Sequence, residues 1–133
     1  DYVDSRLPGS MLERADGKLK AVAVQLSEYL RRERTEFDIP LAPIGTPFQR
    51  TVWQALCTIP YGATRSYSDI ARQIRKPTAV RAVGGAIGAN PLTILIPCHR
   101  VIGKDGSLTG FGGGLDMKRR LLELEGYLLP MQA

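Results

Sequence analysis

Prolines at positions 60, 77 and 97 divide the centre of this chain into segments with room only for helices of two or three turns and brief strands. An interior proline removes a backbone donor and clashes with the preceding turn, so a helix must stop before it. The first segment opens with Thr46-Pro47-Phe48-Gln49. Thr46 can cap, Pro47 suits the first helical position and Gln49 completes a capping box. Phe48, Val52, Ala55, Leu56 and Ile59 then form an apolar stripe that ends near Pro60, where Tyr61-Gly62 turns the chain. Ser66-Tyr67-Ser68-Asp69 opens a second helix, with Ile70, Ala71 and Ile74 inward, that ends before Pro77. Thr78 is placed to cap a third, running to about Gly88 with Val80, Val83 and Ile87 on one face. Two short helices joined by a tight turn resemble a helix-turn-helix. The segments 63–66 and 93–102 can supply the strands of a winged variant.

The flanks are less regular. Residues 1–17 read as polar and irregular, with a turn at Pro8-Gly9 and Asp16 as a cap. Leu19, Val22, Leu26, Tyr29 and Leu30 then recur at helical spacing over 18–34. Arg31, Arg32 and Arg34 fall in its last turn, where cations suit the helix dipole. Phe37 to Pro47 reads as an extended linker. Thr93 to Ile96 has the pattern of a buried strand ended by Pro97, and Asp105-Gly106 is a hairpin-turn signal. After a glycine-rich loop, Gly110 to Gly114, a last helix runs from Leu115 to Glu125, closed by Gly126.

Composition narrows the function classes. A chain of 133 residues, 44% hydrophobic and 23% charged, is that of a globular domain and not a disordered one. A formal charge of +5 favours an anionic partner such as nucleic acid or an anionic membrane. No apolar run is long enough to span a bilayer, and the acidic start, Asp1-Tyr2-Val3-Asp4, is neither a signal nor a transit peptide. Cys57 and Cys98 give no disulfide framework, which fits a reducing, cytoplasmic setting. With these and the single histidine, the ligands for a Cys/His zinc site are too few, and no metal or other cofactor is expected.

The run Ile96-Pro97-Cys98-His99-Arg100-Val101 carries the chemistry. A cysteine beside a histidine and an arginine sits in a positive field, which is expected to lower its pKa and favour the thiolate. The alternative is an inert cysteine buried at a strand end. Glu125 lies four residues after Leu121 and three after Leu122, so it shares their core-facing side of the last helix. A carboxylate there needs a partner, and His99 is the only histidine. A Cys98–His99–Glu125 relay follows, unless Glu125 points sideways to Arg119, Arg120 or a lysine. On the third helix, Arg81, Gly85 and Gly88 share one face and Gly84 adds another glycine. Each glycine costs roughly 1 kcal/mol against alanine in a helix. Such a face lets the backbone come close to an anionic partner, or to another helix.

Together these residues resemble the 6-O-alkylguanine-DNA alkyltransferases of bacterial type, the methylated-DNA–protein-cysteine methyltransferases. The likeness runs from about Phe48 to Gly126. Pro97-Cys98-His99-Arg100 is similar to the family's acceptor signature. Arg81-Ala82-Val83-Gly84-Gly85-Ala86, Asn90-Pro91 and Leu122-Glu123-Leu124-Glu125-Gly126 fall at its spacing. The resemblance implies that Cys98 accepts the alkyl group, with His99 and Glu125 activating it and Asn90 tying the helix-turn-helix to the active-site strand. It implies that Arg81 enters the DNA stack as a finger and that Tyr67 crowds a phosphate and donates a proton to the departing guanine. Ala82, Gly84, Gly85 and Arg100 would complete the DNA-facing surface. The carbonyls of Cys98 and Val101 would accept from the guanine amine, and the loop with Phe111, Gly112 and Gly113 would close over the base.

The chain departs from the family's pattern where Phe111 replaces a common tyrosine and Gly112 an occasional serine. A wide glycine-rich loop suggests tolerance of bulky alkyl groups. Only a short segment precedes the matching region, so the usual N-terminal sheet domain is expected to be partial or missing. The expected architecture is α/β: a C-terminal winged-helix-like, helix-turn-helix active-site domain over 46–133, preceded by a partial N-terminal domain over 1–45. The expected partner is double-stranded DNA containing alkylated guanine, bound by a monomer without a membrane. Three rival readings stand beside this one. A plain DNA-binding regulator leaves Cys98, His99 and Glu125 unexplained, a damage sensor would lack the acceptor cysteine, and a cysteine hydrolase would turn over.

Overall fold

The computed structural model describes residues 9–109, 111 and 114–127. It divides into two compact units between Leu41 and Ala42, inside the expected linker.

The first unit is built on α1 (Gly9–Leu30), which begins well before the expected start, so Asp16 lies within the helix and is not its cap. It also ends sooner. Arg32 takes a left-handed conformation (φ 63°), and the Glu33 N–H returns to the Glu28 carbonyl at 2.8 Å. That bond closes the last turn, so the three arginines lie past the helix and not in it. Tyr29 is buried and its ring meets Phe37 at 5.4 Å between centroids, while Leu19 and Leu30 stay more than half exposed. The Asp38 N–H donates to Gln25 Oε1 at 2.8 Å. The start of the expected extended linker thus folds back on α1.

In the second unit, α2 (Pro47–Leu56) starts with the capping box read from the sequence, Thr46 and Gln49 satisfying each other's backbone N–H. Ser66 and Asp69 form a second capping box for α3 (Tyr67–Gln73). Arg75 is left-handed (φ 63°), and the Lys76 N–H returns to Ala71 to end α3 and set the turn to α4 (Val80–Gly88). Thr78 does not cap α4: the N-cap is Ala79, which offers no side-chain acceptor. Val52, Trp53 and Leu56 of α2, Ile70 and Ala71 of α3, and Val83, Ala86 and Ile87 of α4 form the core. The Trp53 indole N–H donates to the Ala86 carbonyl at 2.8 Å.

Among the described residues the sheet has two strands. β1 (Arg65–Ser66) pairs in parallel with β2 (Val101–Ile102), Arg65 opposite Val101 and Ser66 opposite Ile102. The expected strand at Thr93–Ile96 is instead a tight loop with Ile94 left-handed (φ 77°) and the Ile96 N–H on the Leu92 carbonyl. Asn90 closes that loop. Its amide donates to the Ile96 carbonyl at 2.9 Å and its side-chain oxygen accepts from the Leu92 N–H at 2.9 Å. Among the described residues no neighbouring strand pairs with it, and these bonds are made locally. At Asp105-Gly106, Gly106 is left-handed (φ 86°) and the Gly103 N–H reaches the Ser107 carbonyl: a turn is present, but no strand leaves it. The last helix, α5 (Leu115–Leu124), ends as expected, with Gly126 left-handed and the Tyr127 N–H on the Leu122 carbonyl.

Candidate active site

The acceptor run sits between Asn90 and β2. Pro97 has φ −78° and ψ 66°, and the Cys98 N–H bonds the Ile96 carbonyl at 2.7 Å. This is the geometry of an inverse γ-turn. A single 3₁₀ turn, Cys98–Arg100, follows and leads into β2. The Ile96 carbonyl therefore accepts from both the Cys98 backbone and the Asn90 side chain, which fixes the Cys98 backbone to the end of α4.

The 3₁₀ turn aims His99 and Arg100 at the C-terminus of α5. His99 Nε2 lies 2.7 Å from Glu125 Oε2, and both side chains are fully buried. Arg100 Nε and Nη2 each lie 2.8 Å from an oxygen of the same carboxylate, and Nη1 donates to the Ile59 carbonyl at 2.8 Å. The guanidinium also lies over the Tyr61 ring, 5.7 Å from its centroid. A further donor to Glu125 Oε1 is the Gly62 N–H at 3.2 Å, presented by a left-handed glycine (φ 81°). Of the two placements open to Glu125, the inward one holds.

Arg100 accordingly has a different place from the one expected of it. Its guanidinium is buried on Glu125 and the Ile59 carbonyl, not on a DNA-facing surface. The expected lowering of the Cys98 pKa is also overturned. Burial pushes the thiol up, and the partners that act against this are the Asn90 amide and the Lys118 ammonium. Arg100 is neutralised by Glu125, and burial holds the His99 pKa below its ordinary value despite Glu125. That lowering favours the neutral imidazole, the form suited to accept a proton. Cys57, the C-cap of α2, is also raised by burial. Cys57 is nonetheless exposed at the surface, whereas Cys98 is buried among Asn90 and Lys118.

Lys118 escaped the sequence reading. It is fully buried, its Nζ donates to the Thr109 carbonyl at 3.0 Å, and burial lowers its pKa to about 8. The signal was present: Lys118, Leu121, Leu122 and Glu125 stand at i, i+3, i+4 and i+7 of one helix face.

The helix-turn-helix carries the other expected residues. Arg81, Ala82, Gly85 and Gly88 are exposed on α4. A Cβ added at Gly85 or Gly88 would meet nothing within 4 Å, so among the described residues no neighbouring helix explains these glycines. Gly84 faces the Tyr67 ring, 3.9 Å from its added Cβ. Tyr67, the first residue of α3, places its hydroxyl 2.6 Å from the Thr109 hydroxyl. Val101 is fully buried in β2 and Phe111 is half-buried, its carbonyl accepting from the Gly114 N–H at 2.9 Å. Gly112 and Gly113, expected in the substrate loop, lie outside the described residues. Among those residues no group of three or more His, Cys, Asp or Glu side chains could hold a metal ion, and no helix is long and apolar enough to cross a membrane.

Residues 47–127 match the family model described as the 6-O-methylguanine DNA methyltransferase, DNA binding domain. The chain is 58% identical over 125 residues to the inducible methylated-DNA–protein-cysteine methyltransferase of Bacillus subtilis, an alignment that covers 94% of the chain and 70% of that protein. Its fold is similar to that of Mycobacterium tuberculosis OGT in complex with DNA, with a TM-score of 0.78 and 58% identity over 80% of this chain and 66% of that one. It is also similar, at a TM-score of 0.55 and 34% identity, to S. pombe Atl1 in complex with damaged DNA containing O6-carboxymethylguanine, over 63% of this chain and 80% of that one. The chain thus spans about two thirds of the length of its bacterial relatives.

Proposed function

The chain belongs to the 6-O-methylguanine-DNA methyltransferases, DNA-binding repair enzymes that move an alkyl group directly from DNA to a protein cysteine, and on that premise we propose that Cys98 is the acceptor and the 6-oxygen of guanine in duplex DNA the donor. The observation that carries this reading is the buried Cys98-His99 pair completed by Glu125 from α5. A carboxylate bound bidentately by Arg100 only accepts hydrogen bonds, so it requires the proton on His99 Nε2 and makes Nδ1 the basic nitrogen. His99 takes the Cys98 proton there, directly or through a water. The Lys118 ammonium and the Asn90 amide stabilise the thiolate.

Alkylguanine must leave the stack to reach a buried thiol, at a cost of a few kcal/mol. Arg81, exposed on a face of α4 with open glycines, fills the gap. Cys98 Sγ then forms a bond to the alkyl carbon as the carbon–O6 bond breaks and its electron pair passes to the base. Tyr67 supplies the ring proton that lets guanine leave neutral, a contribution typically worth about 10²–10⁴-fold. The carbonyls of Cys98 and Val101 accept from the guanine amine, and the loop with Phe111, Gly112 and Gly113 closes over the base. The thioether cannot be hydrolysed by these groups, so each molecule reacts once, as a cytoplasmic monomer.

Incubation with benzylguanine followed by intact mass and peptide mapping tests the reading. One benzyl group per chain, on Cys98, is the expected result. Labelling on Cys57, or guanine release beyond one equivalent, overturns it; the second result would favour a turning-over hydrolase.

A further inference from the structure

Thr109 stands at the start of the glycine-rich segment, and nothing in the preceding mechanism uses its side chain. Yet it is tied at both ends. Its hydroxyl lies 2.6 Å from the Tyr67 hydroxyl, and its carbonyl accepts from the buried Lys118 ammonium at 3.0 Å. We propose that Thr109 is a positioning residue for proton delivery, donating its hydroxyl hydrogen to the Tyr67 oxygen as the Tyr67 proton passes to the departing guanine. The inference rests on the reading of Tyr67 as the proton donor.

The argument follows from two hydroxyls sharing one short contact. Only one of them can donate along the line between them. In the free protein either hydroxyl can be the donor. Once a flipped guanine lies against Tyr67, the phenolic proton must point at a ring nitrogen, and the Thr109 proton must then occupy the shared line. As the carbon–O6 bond breaks, the base takes the Tyr67 proton and Tyr67 is left as phenolate. Its charge is met by the Thr109 O–H, and hydrogen bonds to an anionic oxygen are roughly twice as strong as neutral ones. Water, or the proton held on His99, later restores the phenol, so the net change is one thiol and one alkylguanine to one thioether and one guanine. Lys118 keeps the donor in place through the Thr109 main chain, and the branched Thr109 side chain has few rotamers to lose.

The test compares two electrophiles. Benzylguanine needs a proton for its leaving group; iodoacetamide, which releases iodide, does not. Thr109→Val is expected to slow benzylguanine transfer about tenfold, the scale of one hydrogen bond to a forming charge, and to leave carboxamidomethylation of Cys98 unchanged. Thr109→Ser should restore the benzylguanine rate. In a Tyr67→Phe background, Thr109→Val should add no further loss, since its partner is gone. If Tyr67→Phe is slow and Thr109→Val is as fast as the unmodified chain, the Thr109 assignment fails alone. An equal loss with both electrophiles, unrescued by serine, also overturns it and makes Thr109 a fold residue. If Tyr67→Phe itself keeps the full benzylguanine rate, the proton-donor reading falls and the proposal with it.

Discussion

Arg100 grips both oxygens of the Glu125 carboxylate, Nε at 2.8 Å from Oε1 and Nη2 at 2.8 Å from Oε2. Oε2 is the oxygen that also meets His99 Nε2, at 2.7 Å. One carboxylate therefore serves two neighbours in sequence. It neutralises the arginine that the sequence placed near Cys98, and it fixes the tautomer of the histidine proposed as the base. The cost is a buried ion pair, which is weak support for stability when complete and severe when broken.

Arg100→Met should accordingly lose about 3–5 kcal/mol of stability, because the Glu125 charge stays buried without its guanidinium. Urea unfolding measures this. The salt dependence of duplex binding by the folded variant should be that of the unmodified chain, since no phosphate contact is removed. A salt slope smaller by about one unit would instead return Arg100 to the DNA-facing surface.

Lys118 makes a pH-dependent contribution of opposite sign to that of a surface ion pair. Its folded pKa of about 8 lies below its ordinary value. Below pH 8 both states hold the proton and the fold carries the buried charge. From about pH 8 to 10.5 the unfolded chain holds a proton that the folded chain has released, so stability rises with pH. Compared in a Cys98→Ala background, which removes the thiol's own titration, the Lys118-containing chain should gain on Lys118→Met across that window by no more than about 3 kcal/mol. The loss of Cys98 also removes an interaction that raises the Lys118 pKa, so the window opens at or just below pH 8. Parallel urea midpoints at pH 7 and pH 10 decide it; a constant difference would mean that Lys118 does not titrate there.

Alkylation should destabilise the product. Cys98 is 6% exposed, and extra atoms in a filled site typically cost about 1–3 kcal/mol. They also displace the Asn90 amide that meets the thiol, next to the bond that closes the 90–96 loop. The melting temperature of the fully benzylated chain should fall by several degrees. An unchanged or higher value would show that the site holds spare volume.

The side of α4 proposed to face DNA can be separated from the chemistry. Arg81→Ala should react with free benzylguanine at nearly the normal rate and with a lesion duplex far more slowly. Gly85→Ala should fold at least as stably, gaining up to roughly 1 kcal/mol of helix propensity, because its Cβ meets nothing. It should bind the duplex less well if the α4 backbone approaches DNA there. Equal loss of free-base and duplex activity in Arg81→Ala would place Arg81 in the fold or the site.

Much of the local structure was legible in the residues themselves. Thr46 with Gln49 and Ser66 with Asp69 cap their own helices, Gly126 closes α5, and each of these devices is completed within a few residues of chain. Such contacts need no tertiary context, so sequence reasoning reaches them. Glu125 was reachable by the same route, since helical spacing alone puts it on the face of Leu121 and Leu122. Lys118 lay on that face too and was missed, because a lysine in a basic run reads as solvated.

What only the tertiary structure decided is how charge is distributed around Cys98. From the sequence, the adjacent His99 and Arg100 supplied the positive field. In the fold, Arg100 turns to Glu125, twenty-five positions away, and burial holds the His99 pKa below its ordinary value. The cation that acts on the thiol comes from α5. Adjacency in sequence fixes which groups are near, but their effect depends on solvent exclusion and on which opposite charge each one meets. Those are set by segments that contact only after the chain has folded, and they turned the expected lowering of the Cys98 pKa into a rise. The strand expected at Thr93–Ile96 failed for the same reason: a strand needs a neighbour, and here the Asn90 side chain bonds both ends of a loop instead.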